Sequence, residues 1–419
     1  MKLLFLLYDF YPNFGANSLI INNLSRAFIE EGHEVHILPM NVYTDSDKED
    51  VWNKIHIHRI TQSFDKKQVQ KYLQKFMIWS AIRLSISIFK DHFNEKEYQK
   101  NQWSYFSYKH FISILNQYEI DIVINVCYPF EACLPVINYL KTNKKLFKWI
   151  IYMQDPFATN SYYLDKYPKE DLLEFQTKAF QAADKIIVTA SIMQEINTDI
   201  SKISLNKFIT LNFPKITRPS QIIATDDIRF SKSFINCVYV GKFNNNTRNP
   251  KVLFKLFEEF SDEYVRLHVI GEDREKWKAY LSEPVSNIFF YGTKSKEASM
   301  NAELNSNILI NLGNSVTNQL PSKLLEYIST GKPIVNLYQM EGCPTLEFLA
   351  KYPICFNILE SSLDFDKTIK KLRHFFYKYK NTTIKYYYIE NKFYDCTVEY
   401  VSNKFLNLFN ELIKDKEFV

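Results

Sequence analysis

Four times between residues 236 and 313 a short apolar run stops at a glycine. The runs are 236–240 (NCVYV) before Gly241, 265–270 (VRLHVI) before Gly271, 287–291 (NIFFY) before Gly292 and 307–312 (NILINL) before Gly313. The chain has only eight glycines in 419 residues, so each position is informative. Continuous apolar runs of this length, bounded by glycine, predict strands buried on both faces. Helical stretches near 249–261, 273–281 and 321–330 lie between or after them, and a further strand (333–336) follows Gly331. This alternation predicts a parallel, doubly wound α/β domain. The carboxyl ends of its strands share one edge, where ligands bind and where glycine lets backbone come close to them.

The first half carries the same pattern. Residues 2–8 form an apolar run, and Leu19, Ile20, Leu24, Ala27 and Phe28 fall on one face of a predicted helix over 16–31 that Gly32 ends. Strands are predicted at 34–39 (EVHILP), 120–127, 148–153 and 185–189. The opening MKLLFLLYDF is too short in its apolar part for a signal peptide and reads as a buried strand. Two domains therefore follow, 1–215 and 233–390. A proline-bearing linker lies over 213–232, and an amphipathic helix is predicted within about 395–419.

Charge excludes one function class. Lys and Arg number 52 against 47 acids, too even for a nucleic-acid binder. The surplus sits in one place: residues 61–110 hold nine Lys/Arg against four acids. Within it, 76–89 (FMIWSAIRLSISIF) can lie on an anionic membrane surface or face a core. The six cysteines are scattered without a C-x-x-C pair, as expected of reduced thiols in a cytoplasmic protein. His56 and His58 share a strand face with no third ligand evident, so a metal site is not expected. Acidic D-x-D pairs at Asp45/Asp47 and Asp364/Asp366 fall in polar stretches and read as chance.

The most specific segment is 321–335, PSKLLEYISTGKPIV. Pro321 suits the first turn of a helix and Gly331 its end. The helix follows strand 307–312, so its N-terminus faces the ligand edge with free N–H groups. Glu326 in that helix can accept two hydrogen bonds from a ribose diol, or pair with a neighbouring cation on the helix surface.

This segment resembles the donor-site signature of retaining GT-B glycosyltransferases, glycosyltransferase family 4 in particular. The resemblance implies two Rossmann-like domains facing across a cleft, with the terminal helix of about 395–419 packing back on the first, and transfer of a sugar from a nucleotide-sugar to an acceptor hydroxyl with retention and without a metal or other cofactor. It implies that Glu326 holds the ribose. A second glutamate of the family falls on Asn318, where this chain departs from the pattern. Gln319 and Leu320 would neighbour the sugar and phosphate, and Lys323 belongs to the same contact set. In VYVGKFNNNTRNP (238–250) the resemblance places two diphosphate-binding cations at Lys242 and Arg248, after Gly241. Glu272 and Thr293, each following a strand-end glycine, would lie near the base. In the first domain, YPNFGANSLI resembles the family's first loop, with Gly15 and Ala16 giving room for backbone amides to reach a phosphate or acceptor. MQDPF (153–157) resembles an acceptor-side motif, with Asp155 matching its acid and Gln154 replacing a basic neighbour.

The implied partners are a nucleotide-sugar, most often a UDP-sugar, and a sugar or lipid-linked oligosaccharide acceptor in cell-surface polysaccharide synthesis, with peripheral membrane contact through 65–110. Two other readings fit the same residues: a nucleotide-sugar epimerase on the same fold, and a non-catalytic sugar- or partner-binding relative. No G-x-G-x-x-G or P-loop is present, against nicotinamide and kinase chemistry.

Overall fold

Strand β1 (Lys2–Leu7) shows why the first run is apolar without alternation. Leu4 and Leu6 enter the hydrophobic cluster on one face of the sheet, and Leu3, Phe5 and Leu7 the cluster on the other. Both faces are covered, so no residue of the strand interior can be polar at low cost. The structure is a computed structural model describing residues 1–12, 14–40, 49–60, 107–196, 203–221, 223, 226–245, 248–261, 263–282, 285–315, 320–321 and 323–417. The basic segment's residues 61–106, with its 76–89 stretch, and Asp45, Asp47, Asn318 and Gln319 lie outside them.

The chain divides into two compact units, one running to Pro214 and resuming at Val398, the other spanning Lys215–Thr397. Around β1 the first unit assembles β2 (Glu34–Pro39), β3 (Glu49–Trp52), β4 (Ile55–His58), β5 (Ile122–Cys127), β6 (Lys148–Met153), β7 (Lys185–Val188) and β8 (Phe208–Thr210), in spatial order β3-β4-β2-β1-β5-β6-β7-β8. Every neighbouring pair is parallel except β3 and β4. Those two form a hairpin through Asn53 and Lys54, both at positive φ, the turn whose twist matches paired strands. Helix Ala16–Glu30 covers one face and packs on helix Val398–Glu417, with Phe28 stacking edge-on against Phe405 (5.9 Å) and Phe409 (5.3 Å).

The second unit is a six-stranded, wholly parallel sheet: β9 (Ile235–Val240), β10 (Val265–Ile270), β11 (Ile288–Phe290), β12 (Ile308–Leu312), β13 (Ile334–Tyr338) and β14 (Cys355–Leu359), ordered β11-β10-β9-β12-β13-β14. An amide ladder crosses three of these strands. Asn311, Asn336 and Asn357 are register partners; Asn311 Nδ2 donates to Asn336 Oδ1 (2.7 Å) and Asn336 Nδ2 to Asn357 Oδ1 (2.9 Å).

The stretch read as linker belongs to this unit from Lys215 onward. Ile216 pairs with Thr397, and the Asp226 carboxylate takes the N–H and hydroxyl of Ser295 at the start of helix Lys296–Asn305. The predicted helix at 273–281 is one turn (Arg274–Trp277) followed by a 3₁₀ turn (Lys278–Tyr280). Asp364 caps helix Phe365–Tyr379 by accepting the Lys367 N–H, which accounts for that acidic pair without a ligand. Among the described residues no helix is long and apolar enough to cross a membrane.

Candidate functional site

The carboxyl edge of the second sheet is built around its glycines. Gly241 (φ +152°) and Gly271 (φ +107°) follow β9 and β10 and touch: a Cβ on Gly271 would lie 2.7 Å from the Gly241 carbonyl oxygen. Gly271 N–H donates to the Gly292 carbonyl (2.7 Å) and Gly292 N–H to the Glu272 carbonyl (3.2 Å). Side chains would push these strand ends apart, so the edge needs glycine for close backbone packing as well as for φ.

Helix Lys323–Thr330 is anchored to the same edge. Tyr327 is buried, and its hydroxyl oxygen accepts the Val240 N–H at 2.8 Å. That bond ties the helix to the end of β9, two residues before Lys242. One residue earlier, Glu326 points its carboxylate at two lysines: Oε1 is 3.2 Å from Lys215 Nζ and Oε2 2.7 Å from Lys323 Nζ. Lys323 also reaches Glu303 Oε1 at 2.8 Å, and Glu303 is 2% exposed. Burial alone would raise the pKa of Glu326, but Lys323 and then Lys215 more than offset it and hold the carboxyl at about 2. Glu303, more deeply buried, is shifted upward by its burial despite Lys323. Glu326 is therefore a fixed, ionised acceptor beside the carboxyl edge of the sheet, still 29% exposed.

Lys242 is exposed directly after Gly241. Arg248 is brought back toward it by a tight loop in which Asn244 and Arg248 exchange both backbone hydrogen bonds (3.1 and 2.9 Å). Its guanidinium lies beside the Tyr239 hydroxyl, opposing the burial that pushes that phenol up to about 12. The Arg248 Nε is buried and has no hydrogen-bond partner among the described residues. Tyr239 in turn donates to the Lys242 carbonyl (3.2 Å), so the two cations frame one strand end. The Glu272 carboxylate turns inward. It is 4% exposed, and its carboxylate accepts the Phe243 N–H (2.7 Å), the Trp277 indole N–H (2.9 Å) and Lys276 (3.4 Å). It works as an internal clamp on the loop that carries Lys242. Thr293 is exposed after Gly292, and Leu320 is buried.

In the first unit, Gly15 precedes helix Ala16–Glu30 and its missing side chain makes room for Asp9. A Cβ there would sit 2.6 Å from Asp9 Oδ2. The Asp9 carboxylate, raised in pKa by burial, takes hydrogen bonds from the Ser18 hydroxyl and the Gly15 N–H. The anion at this helix start is thus the chain's own; Ala16 beside it is exposed. Asp155 is half-buried just past β6, while Gln154 is 3% exposed.

Sequence reasoning missed Lys215, Glu303, Asp9 and a buried histidine pair. His36 of β2 faces His58 of β4 at 3.0 Å (Nδ1 to Nε2), and its Nε2 meets Glu34 at 2.7 Å. Among the described residues no His, Cys, Asp and Glu group is arranged to hold a metal ion. His58 was singled out in the sequence; its contact with His36 across the sheet was not legible there.

No protein-family model matches the sequence, and no curated protein matches it. Solved structures do, along their whole length. A sucrose-phosphate synthase from Thermosynechococcus elongatus superposes with a TM-score of 0.66 at 12% identity, covering 99% of this chain and 100% of that one. A UDP-forming α,α-trehalose-phosphate synthase from Burkholderia xenovorans, in complex with glucose-6-phosphate, gives 0.62 at 10% identity (98% and 100% covered). The lipopolysaccharide outer core galactosyltransferase WaaB in its apo form gives 0.58 at 16% identity (99% and 100% covered). With its two parallel sheets, the chain has the GT-B fold of two Rossmann-like domains, as expected.

Proposed function

We propose that the protein is a glycosyltransferase that moves a sugar from a nucleotide-sugar onto an acceptor hydroxyl, with the nucleotide held by the second unit. One observation carries this reading. The helix that carries the ionised Glu326 is tied by the Tyr327–Val240 hydrogen bond to the end of β9, the strand that Lys242 and Arg248 follow. A carboxylate suits a ribose diol and two cations suit a diphosphate.

As the bond from the anomeric carbon to the diphosphate breaks, its electron pair passes to the phosphate oxygen. Lys242 and Arg248 stabilise that charge without a metal ion. The acceptor oxygen bonds the anomeric carbon from the same face, with retention, and its proton passes to the departing phosphate. Asp155 lies on the first unit, where it orients the acceptor. Among the similar structures, the UDP-forming synthase supports uridine as the base, and the lipopolysaccharide enzyme supports a cell-surface saccharide as acceptor.

Thermal unfolding with UDP, GDP, ADP and CMP, each with EDTA and with Mg²⁺, tests the reading. A ligand at about a hundred times its dissociation constant adds roughly 2.7 kcal/mol to the folded state. One nucleotide should stabilise the wild type equally in EDTA and Mg²⁺ and leave Glu326→Ala unmoved. Stabilisation by none of them would leave the fold serving a non-catalytic role.

A further inference from the structure

Glu326 is gripped from two sides, and each grip is itself fixed. Lys323 is held against Glu303 at 2.8 Å. Lys215 is 8% exposed; its carbonyl accepts the Ser329 hydroxyl (3.4 Å), and the next residue, Ile216, donates its N–H to the Cys396 carbonyl (2.9 Å). The Lys323 ammonium cannot swing away without leaving Glu303, and Lys215 extends a buried side chain from a backbone pinned on both sides. The lysines approach different oxygens, Lys215 on Oε1 and Lys323 on Oε2. Each carboxylate oxygen has two lone pairs. One on each oxygen is thus engaged and one on each is left, a pair of acceptors spaced for hydroxyls on adjacent carbons.

We propose that Lys215 and Lys323 are positioning residues of the nucleotide site, holding Glu326 ionised and oriented so that it accepts both hydroxyls of a vicinal diol and selects ribonucleotides over 2′-deoxyribonucleotides. This rests on the reading of Glu326 as the ribose acceptor. The two lysines act through Glu326 and need not touch the nucleotide. Lys296, at the start of the neighbouring helix, adds a third positive charge near this carboxylate, and Glu303 adds the opposing negative one. The strong downward hold on Glu326 comes from Lys323 and Lys215 acting against burial. Without either lysine its charge becomes costly and its orientation loose.

The test is the ratio of dissociation constants for UDP and 2′-deoxy-UDP, with the ADP and GDP pairs alongside, measured by calorimetry from pH 5 to 8. The wild type should prefer the ribose form by about tenfold or more, as befits a charge-assisted hydrogen bond, with a flat pH profile. Lys215→Met and Lys323→Met should each cut the preference to less than about threefold and make it fall with acid, as Glu326 becomes protonated within the measured range. Lys215→Arg and Lys323→Arg should restore it. Because Lys323→Met strands a buried carboxylate, the Lys323→Met/Glu303→Gln double variant guards against simple misfolding. A wild type that discriminates, beside folded Met variants with the same ratio and flat profile, overturns the lysine assignment alone. A wild type without preference removes the diol from Glu326 and overturns both readings.

Discussion

Replacing Glu272 by Gln should loosen the second unit by an amount the structure allows to be worked out. The Glu272 carboxylate is 4% exposed and serves two buried donors from opposite oxygens, the Phe243 N–H at 2.7 Å and the Trp277 indole N–H at 2.9 Å. Glutamine is nearly the same size but offers one acceptor oxygen and one amino group. Whichever way its amide turns, an NH₂ faces an N–H. One charge-assisted bond is lost outright and a buried donor is left unmet. A hydrogen bond to a charged group is worth about 1.5–3 kcal/mol, and part of the loss is returned because no charge is buried any longer. A net cost of about 2 kcal/mol follows. The second unit runs from Lys215 to Thr397. For a unit of that size, each kcal/mol moves Tm by roughly 2–4 °C, so the shift should be about 4–8 °C. Differential scanning calorimetry, resolved into two transitions if the units melt apart, reads it directly. Glu272→Ala, which leaves both donors unmet and a cavity beside Trp277, should cost more. A Gln variant within about 1 °C of wild type, or an Ala variant no worse than Gln, would refute the clamp.

The histidine pair makes the first unit sensitive to acid. His58 is 4% exposed and its pKa is lowered to about 3 by burial, with His36, His56 and His110 adding in the same direction; His36 is lowered too. A folded pKa below the unfolded one favours the neutral ring, so this stability is present above about pH 6.5 and is lost as pH falls toward 3. By pH 5 His58 alone should cost about 2 kcal/mol relative to pH 7.5. Urea unfolding of wild type and His58→Phe at both pH values checks this, and an equal pH loss in the two would count against it. At the carboxyl edge of the second sheet, Gly271→Ala should destabilise far more than Gly342→Ala. Both residues have positive φ, but only the first would drive a Cβ to 2.7 Å from backbone, while nothing lies within 4 Å of the second. About 1 kcal/mol is expected for Gly342→Ala from the left-handed backbone alone, and more than twice that for Gly271→Ala. Equal losses in thermal melts would mean that the edge is not closely packed.

What the sequence made legible was local. The strand–glycine steps announce buried parallel strands because burial on both faces suppresses polar residues, and close edge packing demands glycine. PSKLLEY marks a helix start beside a strand end, and the structure ties that helix down through Tyr327, within the quoted motif. The residues that escaped notice act across the fold. Lys215 lies 111 positions from Glu326, in a segment without period or pattern. Glu303 sits on a helix whose mixed polarity hides which face is buried. Asp9 meets Gly15 only because a strand end and a helix start converge. Glu272 follows a strand-end glycine, and nothing in the local pattern announces its buried partners, Phe243 on the loop after β9 and Trp277 five residues on. The strands β3, β8 and β14 escaped notice because each is short or lies at a sheet edge, with only partial burial to pattern it.

The amide ladder of Asn311, Asn336 and Asn357 bears on how this chain avoids assembling wrongly. Strands as uniformly apolar as ILINL and IVNLY could slide past one another and still bury greasy surface. Parallel strands also lack a hairpin turn to fix their offset. Three asparagines that meet side by side in one alignment remove that freedom. Any sliding would leave amides stranded in an apolar layer, at several kcal/mol for the set. The ladder therefore works as a proofreading mark, rejecting near-correct arrangements while the sheet is being laid down.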